Sequence, residues 1–250
     1  MARTWQARGM PTALEPDLAA HARRMRSAVA DASADDADIV GALAGLVAHR
    51  DYPCLGARSV FRRDAVEVAV LPGMDDDALA GLAERLRTFG AQHDGSEELA
   101  SFIVVLRSPV PATEEDFEAA LWRILQHLHD RDNRPWVDDV ASDPRDPRFA
   151  FSFAGTPFFI VGLHPAASRI ARRAPLPTIV FNLHRQFERL RADGTFARMR
   201  TAIRRRDERV QGSVNPMVDD YGSTSAARQY SGRAVPPEWR APFTARGTDR

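Results

Sequence analysis

The stretch FAFSFAGTPFFIVGLHPAASRIARR, Phe149 to Arg173, decides how the chain is read. It opens with two apolar runs, Phe149–Ala154 and Pro157–Leu163, separated by Gly155-Thr156. Short runs rich in Phe, Ile and Val and bounded by Gly and Pro read as buried strands. Pro165 brings no N–H to a ladder and biases His164 toward extended backbone, so the second strand stops there. His164 is followed at once by Ser168, Arg169, Arg172 and Arg173. A nitrogen ligand at the mouth of a buried strand, beside permanent positive charge, suits a planar, mostly apolar cofactor that carries carboxylates. Heme meets that description.

Working outward, helix and strand patterns alternate. Asp17–Ala30 and Ala34–Val47 read as helices, the second with Ile39, Leu43 and Leu46 at helical spacing and Ser33 as its cap. Asp51–Gly56 breaks the pattern. Ala65–Leu71 reads as a strand, Asp75–Gln92 as a helix with acids suited to its N-terminal dipole, and Ser101–Arg107 as a second strand. Thr113 caps a helix from Glu114 to about Asp130, whose apolar stripe includes Phe117, Leu121 and Ile124. Residues 133–148 form a proline-containing loop long enough to suggest a functional role. Thr178–Asn182 is a further strand, Leu183–Arg191 a helix, and Thr195–Arg209 a strongly basic helix. After Gln211 periodicity fades, but the composition is that of ordered loops. The expected architecture is α+β: residues 1–16 as a flexible arm, then 17–250 as a single domain with a mixed or largely antiparallel sheet flanked by helices.

Composition narrows the function. The 250 residues are 44% hydrophobic and carry no net charge, so no global basic field points to nucleic acid. All basic residues are Arg, which reads first as coding bias. A lone cysteine, Cys54, permits no internal disulfide and makes a reducing cytoplasm the default. No run approaches the ~18 apolar residues of a membrane span.

No zinc spacing, phosphate-binding loop or nucleophile elbow is present. His127 and His129 sit two apart on a helix and face different directions. His164 and His184 each follow an apolar strand, a place where a structural histidine is commoner than a ligand. Cys54 has two readings, a buried small hydrophobe or a heme-ligating thiolate. The segment His129–Trp136 is either a solvated helix end or the wall of a polar pocket. Within the basic helix, Phe196, Met199 and Ile203 still form an apolar stripe.

Seven segments carry a family resemblance: DYPCLGARS (51–59), HDRDNRPW (129–136), DPRFAFSFAGTPFFIVGLHPAASRIARR (146–173), IVFNLHRQFERLR (179–191), IRRRDERVQGSVNPMVDDYG (203–222), ARQYSGR (227–233) and WRAPF (239–243). In these the chain resembles the YqcI/YcgG family. Ala226 and Ala241 depart from the family's usual acidic residue and Cys. Characterised members of that family are heme-dependent N-hydroxylases of arginine or related amino acids, in guanitoxin and D-cycloserine pathways. The resemblance implies heme b, dioxygen, an external electron donor and a guanidine or amino-acid substrate.

On that basis His164 is expected to be the iron ligand, with His184 in reserve and Cys54 third. Ser168, Arg169, Arg172 and Arg173 are expected around the cofactor, because a guanidinium fork fits a propionate. Asp130, Asp132 and Glu188 are the carboxylates expected to hold a cationic substrate. A cytoplasmic protein is expected, with no membrane or nucleic-acid partner, and the reading leaves room for a homodimer. The rival readings are a non-catalytic heme-binding or sensing protein and an Arg-rich module for anionic partners.

Overall fold

The computed structural model describes residues 17–31, 33–217 and 224–246. The N-terminal arm expected over residues 1–16 lies outside them. The sheet is built around β2 (Ser101–Leu106), whose six residues are all buried. A strand apolar on both sides needs cover on both faces, and it receives it. The sheet has five strands in the order β1-β2-β5-β4-β3. β1 (Val66–Leu71) runs parallel to β2, while β5 (Thr178–Leu183), β4 (Thr156–Leu163) and β3 (Phe151–Phe153) add antiparallel neighbours. The expected α+β domain with a mixed sheet is therefore what forms.

The β3–β4 hairpin turns on Ala154 and Gly155, with φ of 53° and 81°. Positive φ at both central residues is the two-residue turn whose twist matches a hairpin. The break falls one residue earlier than the sequence pattern suggested, since Thr156 already pairs with Phe153.

Helices cover both faces. α4 (Asp76–His93) and α5 (Glu114–Arg131) pack with the inward residues Phe102, Val104, Phe158, Ile160 and Phe181 into the main core. Thr113 caps α5, accepting the N–H of Asp116 at 3.1 Å. The C-terminal segment returns to this core through Tyr230 and Phe243. It is fastened by buried Glu118, which accepts from Ser231 Oγ at 3.0 Å, Arg233 Nε at 2.9 Å and Trp239 Nε1 at 2.8 Å.

The opposite face is covered by α1 (Asp17–Ala28), α2 (Asp36–Ala48), α3 (Leu55–Arg62), α6 (His184–Ala192) and α7 (Thr195–Gln211). α2 begins two residues later than expected. Asp35, not Ser33, is its cap, because Asp35 and Asp38 form a reciprocal capping box. α3 was hidden by the Pro53-Cys54 break; the Sγ of Cys54 accepts the N–H of Ala57 at 3.4 Å and starts the helix.

Candidate functional site

The two faces of the sheet differ in how completely they are filled. Between β2, β4, β5 and the layer of α2, α3, α6 and α7 lies a cavity of about 310 Å³. Its floor follows strand alternation: Phe159 and Val161 from β4, Thr178, Val180 and Asn182 from β5. Leu43 and Val47 of α2, Val60 and Phe61 of α3, and Phe196, Met199 and Ile203 of α7 make apolar walls. Into this lining come Tyr52, Cys54, Arg172, Arg191, Arg200, Arg204 and Asp207.

The same alternation decides the histidines. Leu163 lines the cavity, so His164, the next residue, turns to the other face. There its ring stacks on Phe117 of α5, with centroids 4.7 Å apart and planes 19° from parallel. Burial holds His164 below the usual imidazole range, with Glu114 acting in the opposite direction. Its Nδ1 is buried without a hydrogen-bond partner. His184 is buried at the start of α6, with Nε2 3.2 Å from Glu188. Burial lowers its pKa as well, against the pull of Glu188. Neither histidine belongs to the cavity lining, whereas Cys54 does.

Burial pushes the Cys54 thiol up; the N–H groups of Ala57 and Gly56 and the charge of Arg172 act to lower it. Tyr52 is raised by burial first and by Cys54 second. Arg172 is lowered by burial, opposed by Tyr52 and Cys54. The thiol of Cys54, the phenol of Tyr52 and the guanidinium of Arg172 thus interact within a mostly apolar space.

The expected cofactor arginines separate. Arg172 faces the cavity and donates to the carbonyls of Gly162 at 3.0 Å and Gln229 at 3.3 Å. Arg169 is engaged in a buried ion pair with Asp207 and also donates to Ser213 O at 3.0 Å. Arg173 Nε donates to Ala167 O at 2.9 Å, and exposed Ser168 bonds Glu114 at 2.9 Å through both N–H and hydroxyl.

The expected substrate carboxylates separate too. Asp130 is exposed on α5, bonds Gln126 at 2.8 Å, and lines a different, open depression of about 430 Å³ with Trp122 and His127. Asp132 is buried as a tether, accepting the N–H of Ala154 at 2.6 Å and of Arg134 at 3.0 Å. Glu188 lies on α6 beside cavity-lining Phe187 and Arg191, bonded to Arg191 as well as His184. Tyr52, Arg191, Arg200, Arg204 and Asp207 were not singled out as site residues by the sequence. The available signal was the stripe Phe196-Met199-Ile203, which marks the inner face of α7 and brings Arg200, Arg204 and Asp207 with it.

Among the described residues no helix is long and apolar enough to cross a membrane. A family model described as YqcI/YcgG matches residues 43–244. The chain is 28% identical over 179 residues to "Uncharacterized protein YcgG" of Bacillus subtilis, covering 68% of this chain and 71% of that protein. It is 27% identical over 179 residues to "Uncharacterized protein YqcI" of the same organism, covering 68% and 70%. It is also 27% identical over 210 residues, 78% of this chain and 79% of the relative, to "Putative N(omega)-hydroxy-L-arginine synthase DcsA" of Streptomyces lavendulae. No solved structure matches.

Proposed function

Because the chain belongs to the YqcI/YcgG family, we propose that it is a heme-dependent N-hydroxylase acting on a guanidine or amine nitrogen of arginine or a related amino acid. The observation that carries this reading is the apolar cavity that holds Cys54 and Arg172 together. The name of the Streptomyces lavendulae relative supports the substrate class.

What supports the cofactor is the chemistry of the cavity lining. Broad apolar walls would suit a macrocycle, and Cys54 would be the residue to hold its iron through sulfur. The N–H groups at the start of α3 and the charge of Arg172 act toward the charged form, against the burial that raises the thiol. Arg172, Arg200 and Arg204 offer guanidinium forks for carboxylates. When bound, heme supplies the binding and activation of dioxygen.

The chain's own residues exclude water and orient the substrate. Phe159, Val161, Phe196 and Met199 keep the cavity dry. Glu188 and Asp207 are the carboxylates at this face that can take a guanidinium; Asp207 has one buried oxygen, Oδ1, without a partner. In the overall reaction one oxygen atom joins nitrogen and the other leaves as water, with two electrons and two protons supplied from outside.

The test is direct. Protein produced with heme supplied is expected to show a Soret band, and aerobic incubation with arginine and a reductant to yield a product heavier by one oxygen. A Soret band without product points to the sensing reading. Purified protein with no chromophore overturns the heme assignment.

A further inference from the structure

We propose that the outer face of α7 is the docking surface for a small acidic one-electron carrier protein, an inference that rests on the N-hydroxylase reading above. α7 has two opposed faces. Phe196, Met199, Ile203 and Asp207 line the cavity. Arg198, Arg205 and Arg209 are exposed, and their spacing of seven and four residues puts them on one stripe of the opposite side.

Among the described residues these three arginines form no ion pair. Arg198 bonds the hydroxyl of Thr195, at 3.0 Å, and its charge is felt by nearby Asp193 without an ion pair between them. Among the described residues no carboxylate lies within ion-pair distance of Arg198, Arg205 or Arg209. Some surface arginines elsewhere are ion-paired, as Arg85 is with Glu67 and Arg145 with Asp143.

The charge is also segregated across the molecule. The chain as a whole is neutral. Yet α7 carries six arginines against Asp207 and Glu208, and neighbouring α1 adds Arg23, Arg24 and Arg26 against Asp17. The opposite layer leans the other way, with α4 opening on Asp76-Asp77 and α5 on Glu114-Glu115-Asp116. Such a dipole steers an acidic partner toward α7 and raises its association rate at low salt.

The geometry supplies the reason for a redox partner. A helix with its side chains is about 10 Å across, so a carrier seated on Arg198, Arg205 and Arg209 stands one helix thickness from the cavity. α7 is also joined to the Cys54 segment, because Arg206 donates to the carbonyl of Tyr52 at 3.1 Å. In each turnover two reduced carriers are oxidised by one electron each. With two protons from solvent, dioxygen is reduced to one water and one oxygen atom bound to nitrogen.

The experiment titrates the heme-loaded protein with an acidic [2Fe–2S] ferredoxin by calorimetry, at low and high salt. It then measures heme reduction by the reduced ferredoxin and by dithionite. The triple variant Arg198→Glu/Arg205→Glu/Arg209→Glu is compared throughout. Expected are ferredoxin binding that weakens with salt, at least tenfold weaker binding and slower ferredoxin-driven reduction in the variant, and unchanged reduction by dithionite. Unaltered ferredoxin affinity in the heme-loaded variant overturns the docking surface alone. So does tighter binding of duplex DNA or anionic vesicles than of ferredoxin through the same arginines. Protein that takes up no heme overturns the functional reading and this proposal together.

Discussion

Gly162 donates its backbone N–H to the carbonyl of Tyr230 at 2.6 Å. The contact exists because β3 is short and its pairing with β4 extends only from Thr156 to Phe158, leaving the edge of β4 at Gly162 open. The C-terminal segment closes that edge, and Arg172 takes the carbonyl of Gly162 at 3.0 Å. A Cβ at Gly162 would stand 2.7 Å from Tyr230 O, 2.7 Å from Phe117 and 2.9 Å from Leu121. Backbone oxygen and a buried ring cannot yield cheaply. Gly162→Ala is expected to cost about 1–3 kcal/mol, read as a lower urea midpoint. An unchanged midpoint would mean that Tyr230 does not seal this edge.

Much of this arrangement was legible in the residues, and the exceptions have physical causes. The strands expected at Ser101–Arg107 and Thr178–Asn182 form as Ser101–Leu106 and Thr178–Leu183, because the first is apolar on both sides and the second is rich in Ile, Val and Phe. That same property hid the site. In a sheet covered on both faces, alternation carries no polar side, so nothing in FFIVGLH told whether Leu163 or His164 faces the cavity. Asp132 looked like a partner for Asp130, yet α5 ends at Arg131 and Asp132 turns inward to hold Ala154. The arginines after His164 were read as one cluster. The turn at Ile170–Arg172 sends Arg169 to Asp207 and Arg173 to Ala167, and leaves only Arg172 for the cavity.

Glu118 is the anchor of the C-terminal segment. Its side chain is 8% exposed and meets Arg233, at 19%, in a bidentate pair with N–O distances of 2.9 and 3.0 Å. Glu118→Ala leaves Arg233 and Trp239 without their acceptor. Removing one member of a buried pair costs about 3–5 kcal/mol, and thermal unfolding should show it. Amide exchange at residues 231–239 is expected to rise in the same variant. Glu118→Gln, which keeps acceptor and donor atoms, should lose less.

His129 makes stability depend on pH. It is buried against Trp136 and Phe243, and its Nε2 accepts the backbone N–H of Arg246 at 2.8 Å. Burial, then the charge of Arg246, holds its pKa below the free value of 6.5. The unfolded chain therefore binds a proton before the folded one does, and stability falls as pH drops below about 6.5. Urea midpoints at pH 7.5 and 5.5 should show wild-type protein weaker at the lower pH. In His129→Gln the difference should shrink; a variant as acid-sensitive as wild type would place the effect on other histidines.

Cys54 and His164 divide the ligand question cleanly, because they lie on opposite faces of one sheet. Cys54 lines the cavity at the start of α3, whereas His164 is sandwiched against Phe117. Cys54→Ala keeps the helix start near a proline and removes only the sulfur, so folding should survive with the loss of one weak cap bond. Heme affinity in that variant is expected to fall about tenfold or more, with the Soret position displaced. His164→Ala should lose stacking and stability but retain the wild-type spectrum once folded. The reverse pattern, a lost spectrum in His164→Ala and an intact one in Cys54→Ala, would move the cofactor to the α5 side of the sheet and leave the cavity to the substrate alone.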